Sequence, residues 1–309
     1  MPKILRQGDK QVLPVVFWMM GAAASFVVAA VSIRTLSLHF NVFEINSIRT
    51  AGGLLLLLVA LACWPHLREQ LKIAAAPLHV PRNVVNALGG ALWTISIALL
   101  PLATVFSLEF TTPAWAALLA YPILGERVTR NTVFGIALSL VGVLFILRPT
   151  PSSFNVIALA PLGAALCFAV SLLLTRRLTR TEGVFAILFW MMIIQLPLNL
   201  IGIIFAPSSG VVSSFSTPIV LAIAGLAIAG LCSQLCLSKA LQIGLTTIVM
   251  PLDFLRVPLI AIIGATMYGE PFDIWVFTGF AIIATGIGIG VLIPERSPAR
   301  ASAGKVPSG

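Results

Sequence analysis

Forty consecutive residues, Val84 to Ile123, carry a single charge, Glu109. A bilayer core of ~30 Å is crossed by ~20 apolar residues in a helix. The stretch therefore holds two crossings, with Pro101 marking a tight turn between them. The same reading along the chain gives Leu13–Ile33, Phe43–Cys63, Val84–Leu100, Leu102–Ile123 and Val133–Leu147, then Ala158–Thr175, Val184–Ala206, Ile219–Ser238, Thr246–Tyr268 and Ile274–Ile293. That is an all-α polytopic membrane protein of ten transmembrane helices. Composition agrees: 9% of the 309 residues are charged and 59% hydrophobic, where soluble domains run near a quarter charged. Too few polar residues remain to cover a water-facing surface, which excludes a soluble enzyme and a disordered chain.

Lys and Arg set the orientation. With the N-terminus inside, fifteen fall on the cytoplasmic side, among them Lys3, Arg68, Arg82, Arg127, Arg176, Lys239 and Arg296, against Arg34 and Arg148 outside. Both termini are expected in the cytoplasm. The net charge of +9 is thus spread at one to three residues per loop, a topogenic spacing that excludes a phosphate-tracking stripe and so nucleic acid. A cleaved signal peptide over residues 1–33 is the rival reading of the first span, but the apolar run continues well past Ala22-Ala23-Ala24-Ser25. Cys63, Cys167, Cys232 and Cys236 all lie in apolar stretches, so neither a disulfide framework nor a metal site is expected.

The chain also repeats itself. A shift of 144 residues lays Glu109 on Asp253, Gly125-Glu126 on Gly269-Glu270, Gly135 on Gly279 and Gly142 on Gly286. A shift of 142 lays Gly21-Ala22-Ala23 on Gly163-Ala164-Ala165 and Arg34 on Arg176. A unit of five spans is odd, so its second copy enters the membrane with opposite orientation. The expected organisation is one five-helix repeat over residues 1–150, an inverted one over 151–296, and a disordered cytoplasmic tail over 297–309. Two inverted copies can exchange conformations, opening a shared midplane site first to one side and then to the other. That architecture points to a transporter, with one chain as the working unit.

Phe43-Glu44 with Arg49, Pro113, Leu124-Gly125-Glu126-Arg127, Gly142-Val143, Arg148-Pro149, Asp253-Phe254-Leu255-Arg256 and Tyr268-Gly269-Glu270 together resemble the ten-helix EamA-type members of the drug/metabolite transporter superfamily. The resemblance covers nearly the whole chain. It implies a cytoplasmic-membrane (inner-membrane) carrier of small polar metabolites such as amino acids, nucleoside-like compounds or vitamins, driven by an ion gradient or by exchange. The Phe-Glu and Asp-Phe-Leu-Arg elements are most similar to the branch that includes riboflavin and S-adenosylmethionine carriers. A lipid flippase or a non-transporting membrane scaffold is the alternative. No cofactor is implied, and no HExxH or GxSxG element suggests catalysis.

Charges inside spans are the sharpest site candidates, since an unpaired one near the bilayer centre costs ~2.5–3.5 kcal/mol. Asp253 and Arg256 are three residues apart and share a helix face. Glu109 has Thr112 at the equivalent spacing, which leaves Arg49 as its partner. The expectation is that Glu109 and Asp253 face each other across the repeat axis while Arg49 and Arg256 neutralise them and hold an anionic group of the substrate. Glu109, lacking a cation on its own helix, is the candidate coupling-ion carrier. Glu44, at a span end, is expected to reach the interface. Asn86, Gln195 and Gln234 are candidate polar contacts, though Asn and Gln in spans more often join helices. Trp93, seven residues from Asn86, would share its face and stack on a planar substrate. His39, His66 and His79 read as loop residues. Gly135/Gly142 and Gly279/Gly286 read as a close-packing seam, and the Gly-Glu elements as turns and caps.

Overall fold

A computed structural model describes residues 3–71, 76–124, 130–147, 156–206, 216–243, 256–270 and 273–292. Among them the regular structure is helical. The helices are α1 (Lys3–Leu36), α2 (Val42–Cys63), α3 (Ala76–Leu99), α4 (Leu102–Glu109), α5 (Thr112–Leu124), α6 (Arg130–Leu147), α7 (Leu159–Leu178), α8 (Val184–Phe205), α9 (Thr217–Ile243), α10 (Arg256–Tyr268) and α11 (Ile274–Leu292). Two 3-10 segments, Pro65–Leu71 and Val156–Ala158, lie between them. Among the described residues six stretches are long and apolar enough to cross a membrane: Pro14–Leu36, Val42–Cys63, Leu102–Ile123, Val156–Leu178, Val184–Phe205 and Thr217–Ala240. Val133–Ile146, Leu259–Tyr268 and Ile274–Gly286 are shorter apolar helices. Asp253, Gly125-Glu126-Arg127, Arg148 and the tail lie outside the described residues, as does the Arg256 side chain.

Local chemistry explains where several helices begin and end. Asn41 caps α2 by accepting from the Glu44 N–H, while the Glu44 carboxylate accepts from the Asn41 N–H at 2.8 Å. This capping box gives Glu44 a local partner where the sequence suggested a side chain reaching for the interface. The expected fourth span is broken in two at Phe110–Thr111. Pro113 has no N–H to return to the Glu109 carbonyl, and the Thr112 hydroxyl donates to it instead at 2.6 Å. Thr111 does the same for the Leu108 carbonyl at 2.8 Å. α10 ends at Gly269, whose φ of +63° is the left-handed conformation that glycine adopts freely.

The most extensive helix contacts are α6 with α11 and α1 with α9, followed by α3 with α7 and α2 with α8. α4 runs through the main core, where Leu102, Val105, Phe106 and Leu108 are fully buried against Ile33 and Leu36 of α1, Ile97 of α3, Ile260 of α10 and Ile283 of α11. The seam read from the glycine spacing joins α6 to α11. A Cβ on Gly142 would lie 2.6 Å from the Gly279 carbonyl oxygen, and one on Gly286 would lie 2.6 Å from that of Gly135. In a membrane, where lipid is as apolar as leucine, such close backbone approach is a main source of helix association. Large apolar side chains such as Phe17, Leu55, Leu144, Ile204, Phe205 and Leu221 cover the outside, a surface suited to lipid.

Candidate functional site

α2 leaves its cap and presents Asn46, Arg49 and Thr50 at helical spacing toward the interior. Asn46 Nδ2 donates to Thr94 Oγ1 of α3 at 3.2 Å, and Thr50 Oγ1 accepts from Asn199 Nδ2 of α8 at 3.0 Å. Between them Arg49 reaches into a slot made by two glycines. A Cβ on Gly90 of α3 would lie 2.9 Å from Arg49 Nη2, and one on Gly230 of α9 would lie 2.6 Å from Arg49 Cγ. Gly230 is the middle residue of α9. The guanidinium is half-buried and makes no hydrogen bond or ion pair among the described residues. Gln234, one turn beyond Gly230, is likewise half-buried, with no hydrogen bond among the described residues. Arg49 and Gln234 therefore leave hydrogen-bond donors unused on either side of Gly230.

Glu109 sits at the break between α4 and α5, 4% exposed. Its Oε2 accepts from Trp93 Nε1 at 2.8 Å. The expected Arg49–Glu109 pair is therefore not formed; the ion pairs among the described residues are Arg34–Glu270 and His79–Glu182. Trp93 is buried, with the edges of Phe26 and Phe106 against it at centroid distances of 6.1 and 6.0 Å. Its ring is packed among aromatics in place of standing open beside Asn86.

Asn86 and Gln195 belong to a polar column along α3. Gln195 Nε2 donates to Asn86 Oδ1 at 2.8 Å, and Asn86 Nδ2 donates to Ser171 Oγ of α7 at 3.0 Å. Further along, Arg82 Nε donates to Thr175 Oγ1 at 2.9 Å and Arg82 Nη1 to Asn83 Oδ1 at 3.0 Å. His79 Nε2 then meets Glu182 Oε2 at 2.7 Å in the turn before α8. Arg82 and His79 are 1% and 3% exposed, so neither is the loop residue that the sequence suggested. The third span was expected to open at Val84, but α3 starts at Ala76 and carries Pro81 inside it. The signal was the spacing itself: positions 79, 82, 83, 86, 90 and 93 follow one helical face from before the apolar run begins.

The opposite end of the bundle has its own fastening. Arg34, in the last turn of α1, pairs with Glu270 and donates to the carbonyls of Ile97 and Leu100 at the end of α3, the latter at 3.0 Å. Glu270 Oε2 accepts from the Leu102 N–H at the start of α4 at 2.8 Å, and the Tyr268 ring lies 5.3 Å from the Arg34 guanidinium carbon. Glu270 thus caps the start of α4, in keeping with the cap role expected of the Gly-Glu element, and adds a tie to Arg34 that the sequence did not suggest. No cluster of three metal-ligating side chains occurs among the described residues.

A model of the EamA-like transporter family matches residues 13–148 and again 155–292. The riboflavin transporter of Rhizobium johnstonii is 29% identical over 242 residues, 75% of this chain and 78% of that protein. The S-adenosylmethionine uptake transporter of Rickettsia prowazekii is 24% identical over 133 residues, 43% of this chain and 45% of that protein. A solved crystal structure shares the fold with a TM-score of 0.61 at 17% identity, over 90% of this chain and 96% of that one.

Proposed function

The chain belongs to the EamA-like transporter family, and from that premise we propose that it is a secondary carrier of a planar, polar metabolite of flavin or S-adenosyl type, working by alternating access. One observation carries the substrate reading: the Arg49 guanidinium stands partnerless among the described residues between Gly90 and Gly230. A solute offering carbonyl or anionic oxygens would satisfy it, and Gln234 would supply a second contact. The similarity to riboflavin and S-adenosylmethionine transporters supports the class. Glu109, Asp253 and Arg256 stay in the proposal as the charges of the α4–α5 break and of its counterpart in the second repeat.

Alternating access draws support from which helices touch. If residues 1–150 and 151–296 are inverted copies, α1 with α9 and α3 with α7 are one contact seen twice, while α2 with α8 and α6 with α11 are each a helix against its own counterpart. An exchange of the two copies leaves that pattern unchanged, as the mechanism requires.

The test is thermal stabilisation of the purified protein in detergent against flavins, S-adenosyl compounds, nucleosides and amino acids. A ligand at a hundredfold excess over its Kd adds ~2.7 kcal/mol of apparent stability. Riboflavin or S-adenosylmethionine is expected to stabilise the wild type and to lose that effect in Arg49→Ala. Stabilisation by lipids alone, with no response to any solute, would overturn the carrier reading in favour of a lipid flippase or scaffold.

A further inference from the structure

We propose that Arg82 and Asn83 of α3 form a second solute site, on the cytoplasmic side of Arg49, which takes a carboxylate or phosphate group, so that the solute of this carrier is an anion. The inference rests on the carrier reading above for its purpose, but on its own geometry for its chemistry. Arg82 is 1% exposed, yet its hydrogen bonds among the described residues go to neutral side chains, Thr175 Oγ1 at 2.9 Å and Asn83 Oδ1 at 3.0 Å. It forms no ion pair among those residues; Glu182, farther along the column, meets His79. Two of the guanidinium's N–H groups are used in this way, and the rest of the fork is left over. Asn83 is fully buried, and its Nδ2 has no hydrogen-bond partner. Unused donors of a cation and of an amide thus lie side by side in the protein interior.

Holding α3 to α7 does not call for a cation. One turn on, Asn86 joins the same two helices through Ser171 Oγ at 3.0 Å with neutral groups alone. A buried charge that bonds only to neutral partners is costly, and inside membranes such residues mark solute paths. An anionic oxygen would accept from both Arg82 and Asn83, and charge-assisted bonds of that kind are the strong ones. Gly90, against which the Arg49 guanidinium lies, stands eight residues beyond Arg82 on the same face of α3, about 12 Å along the helix axis. Two guanidiniums without a carboxylate partner among the described residues therefore line one route. By the Lys and Arg count the Arg82 end faces the cytoplasm, so an incoming anion meets Arg49 first and Arg82 second. Within the class proposed above, the arrangement favours a flavin bearing a phosphate over S-adenosylmethionine, whose sulfonium and ammonium groups it would repel.

The experiment is a set of matched ligands, read as thermal stabilisation of the full-length protein in detergent. Riboflavin is compared with flavin mononucleotide and adenosine with adenosine monophosphate, each pair differing by one phosphate. Inorganic phosphate is titrated alone at millimolar concentration, below the range in which its salts stabilise proteins generally. In the wild type the phosphorylated member is expected to bind at least about tenfold more tightly than its neutral twin, and inorganic phosphate to protect. Arg82→Gln and Asn83→Asp are each expected to remove both effects. Asn83→Asp supplies from within the anion that a solute would bring, so it should fold at least as stably as the wild type; if Arg82→Gln fails to fold, Asn83→Asp decides alone. Arg82→Lys, which keeps the charge without the fork, is expected to retain part of the preference. A merely structural Arg82 would change stability without moving the preference. A wild type that treats both members of each pair alike and ignores inorganic phosphate overturns the proposal, as does a preference that survives in Asn83→Asp. Riboflavin binding that is lost in Arg49→Ala, with no gain from the added phosphate, would keep the carrier reading and remove this one. Protection by inorganic phosphate that depends on Arg82, with no flavin or S-adenosyl compound bound, would do the reverse.

Discussion

Replacing Gly142 by alanine adds one methyl group to a close backbone-to-backbone contact between α6 and α11. Its Cβ would fall 2.6 Å from the Gly279 carbonyl oxygen, 2.7 Å from Ile283 Cγ1 and 3.0 Å from the Ile283 nitrogen. Heavy atoms in contact sit about 3.5 Å apart, so α6 and α11 must separate locally by about 0.9 Å. Two of the three obstructing atoms are backbone, so no rotamer change relieves the clash. Overpacking of this kind costs about 1–3 kcal/mol, offset by about 1 kcal/mol because alanine replaces glycine in a helix. Gly288, on the same α11, is the internal control: a Cβ there meets nothing within 4 Å, so Gly288→Ala keeps the helix gain alone. Thermal unfolding in detergent is expected to place Gly142→Ala below the wild type and Gly288→Ala level with it or above. The gap between the two variants should be about 2 kcal/mol. If both variants shift alike, the seam is not a backbone contact and the packing argument fails.

Thr112→Val strips the hydroxyl that satisfies the Glu109 carbonyl at the α4–α5 break; a loss of about 1–3 kcal/mol is expected in chemical denaturation, and an unchanged midpoint would refute the Pro113 explanation of the break. Glu270→Gln keeps the shape but weakens the charged bond to Arg34, for an expected loss of about 1–2 kcal/mol in thermal unfolding. Arg34→Lys should fare no better, because an ammonium does not reproduce the fork that meets Glu270 and two carbonyls together. Gly230→Ala drives a Cβ against Arg49 Cγ, near the root of the side chain, whereas the nearest atom to a Cβ on Gly90 is the mobile Nη2 end. In the ligand panel Gly230→Ala should weaken binding more than Gly90→Ala does; the reverse order would remove Arg49 from the site.

Much of the fold was legible because membrane helices obey two coarse rules, span length and backbone self-sufficiency. The apolar runs expected from Leu13, Phe43, Val184 and Ile219 correspond to the apolar spans Pro14–Leu36, Val42–Cys63, Val184–Phe205 and Thr217–Ala240. The glycine seam was legible too, since seven-residue spacing keeps two glycines on one face. What the sequence hid was pairing. Arg49 and Glu109 looked like partners by elimination, but Glu109 takes the Trp93 indole while Arg49 lies between two glycines 140 positions apart. Nothing local announces such a slot, because a glycine's missing side chain leaves no pattern of its own. His79 and Arg82 were lost for another reason. Both precede the apolar run that opens at Val84, and hydropathy alone does not carry the helix back to Ala76. Their partners Glu182 and Thr175 belong to the other half of the chain, so a local reading never brings them together.

The two ends of the bundle are fastened by different side chains. At one end Arg34 joins the last turn of α1 to Glu270, which in turn holds the start of α4. At the other, His79 of α3 meets Glu182 before α8. Each contact ties a residue of the first half of the chain to one of the second, and a hydrogen bond that involves a charged group is worth about 1.5–3 kcal/mol. If the carrier alternates as proposed, its two states must lie within a few kcal/mol of each other, or one would never be visited. Two fastenings of similar size at opposite ends meet that condition, because opening one end forfeits about as much as opening the other.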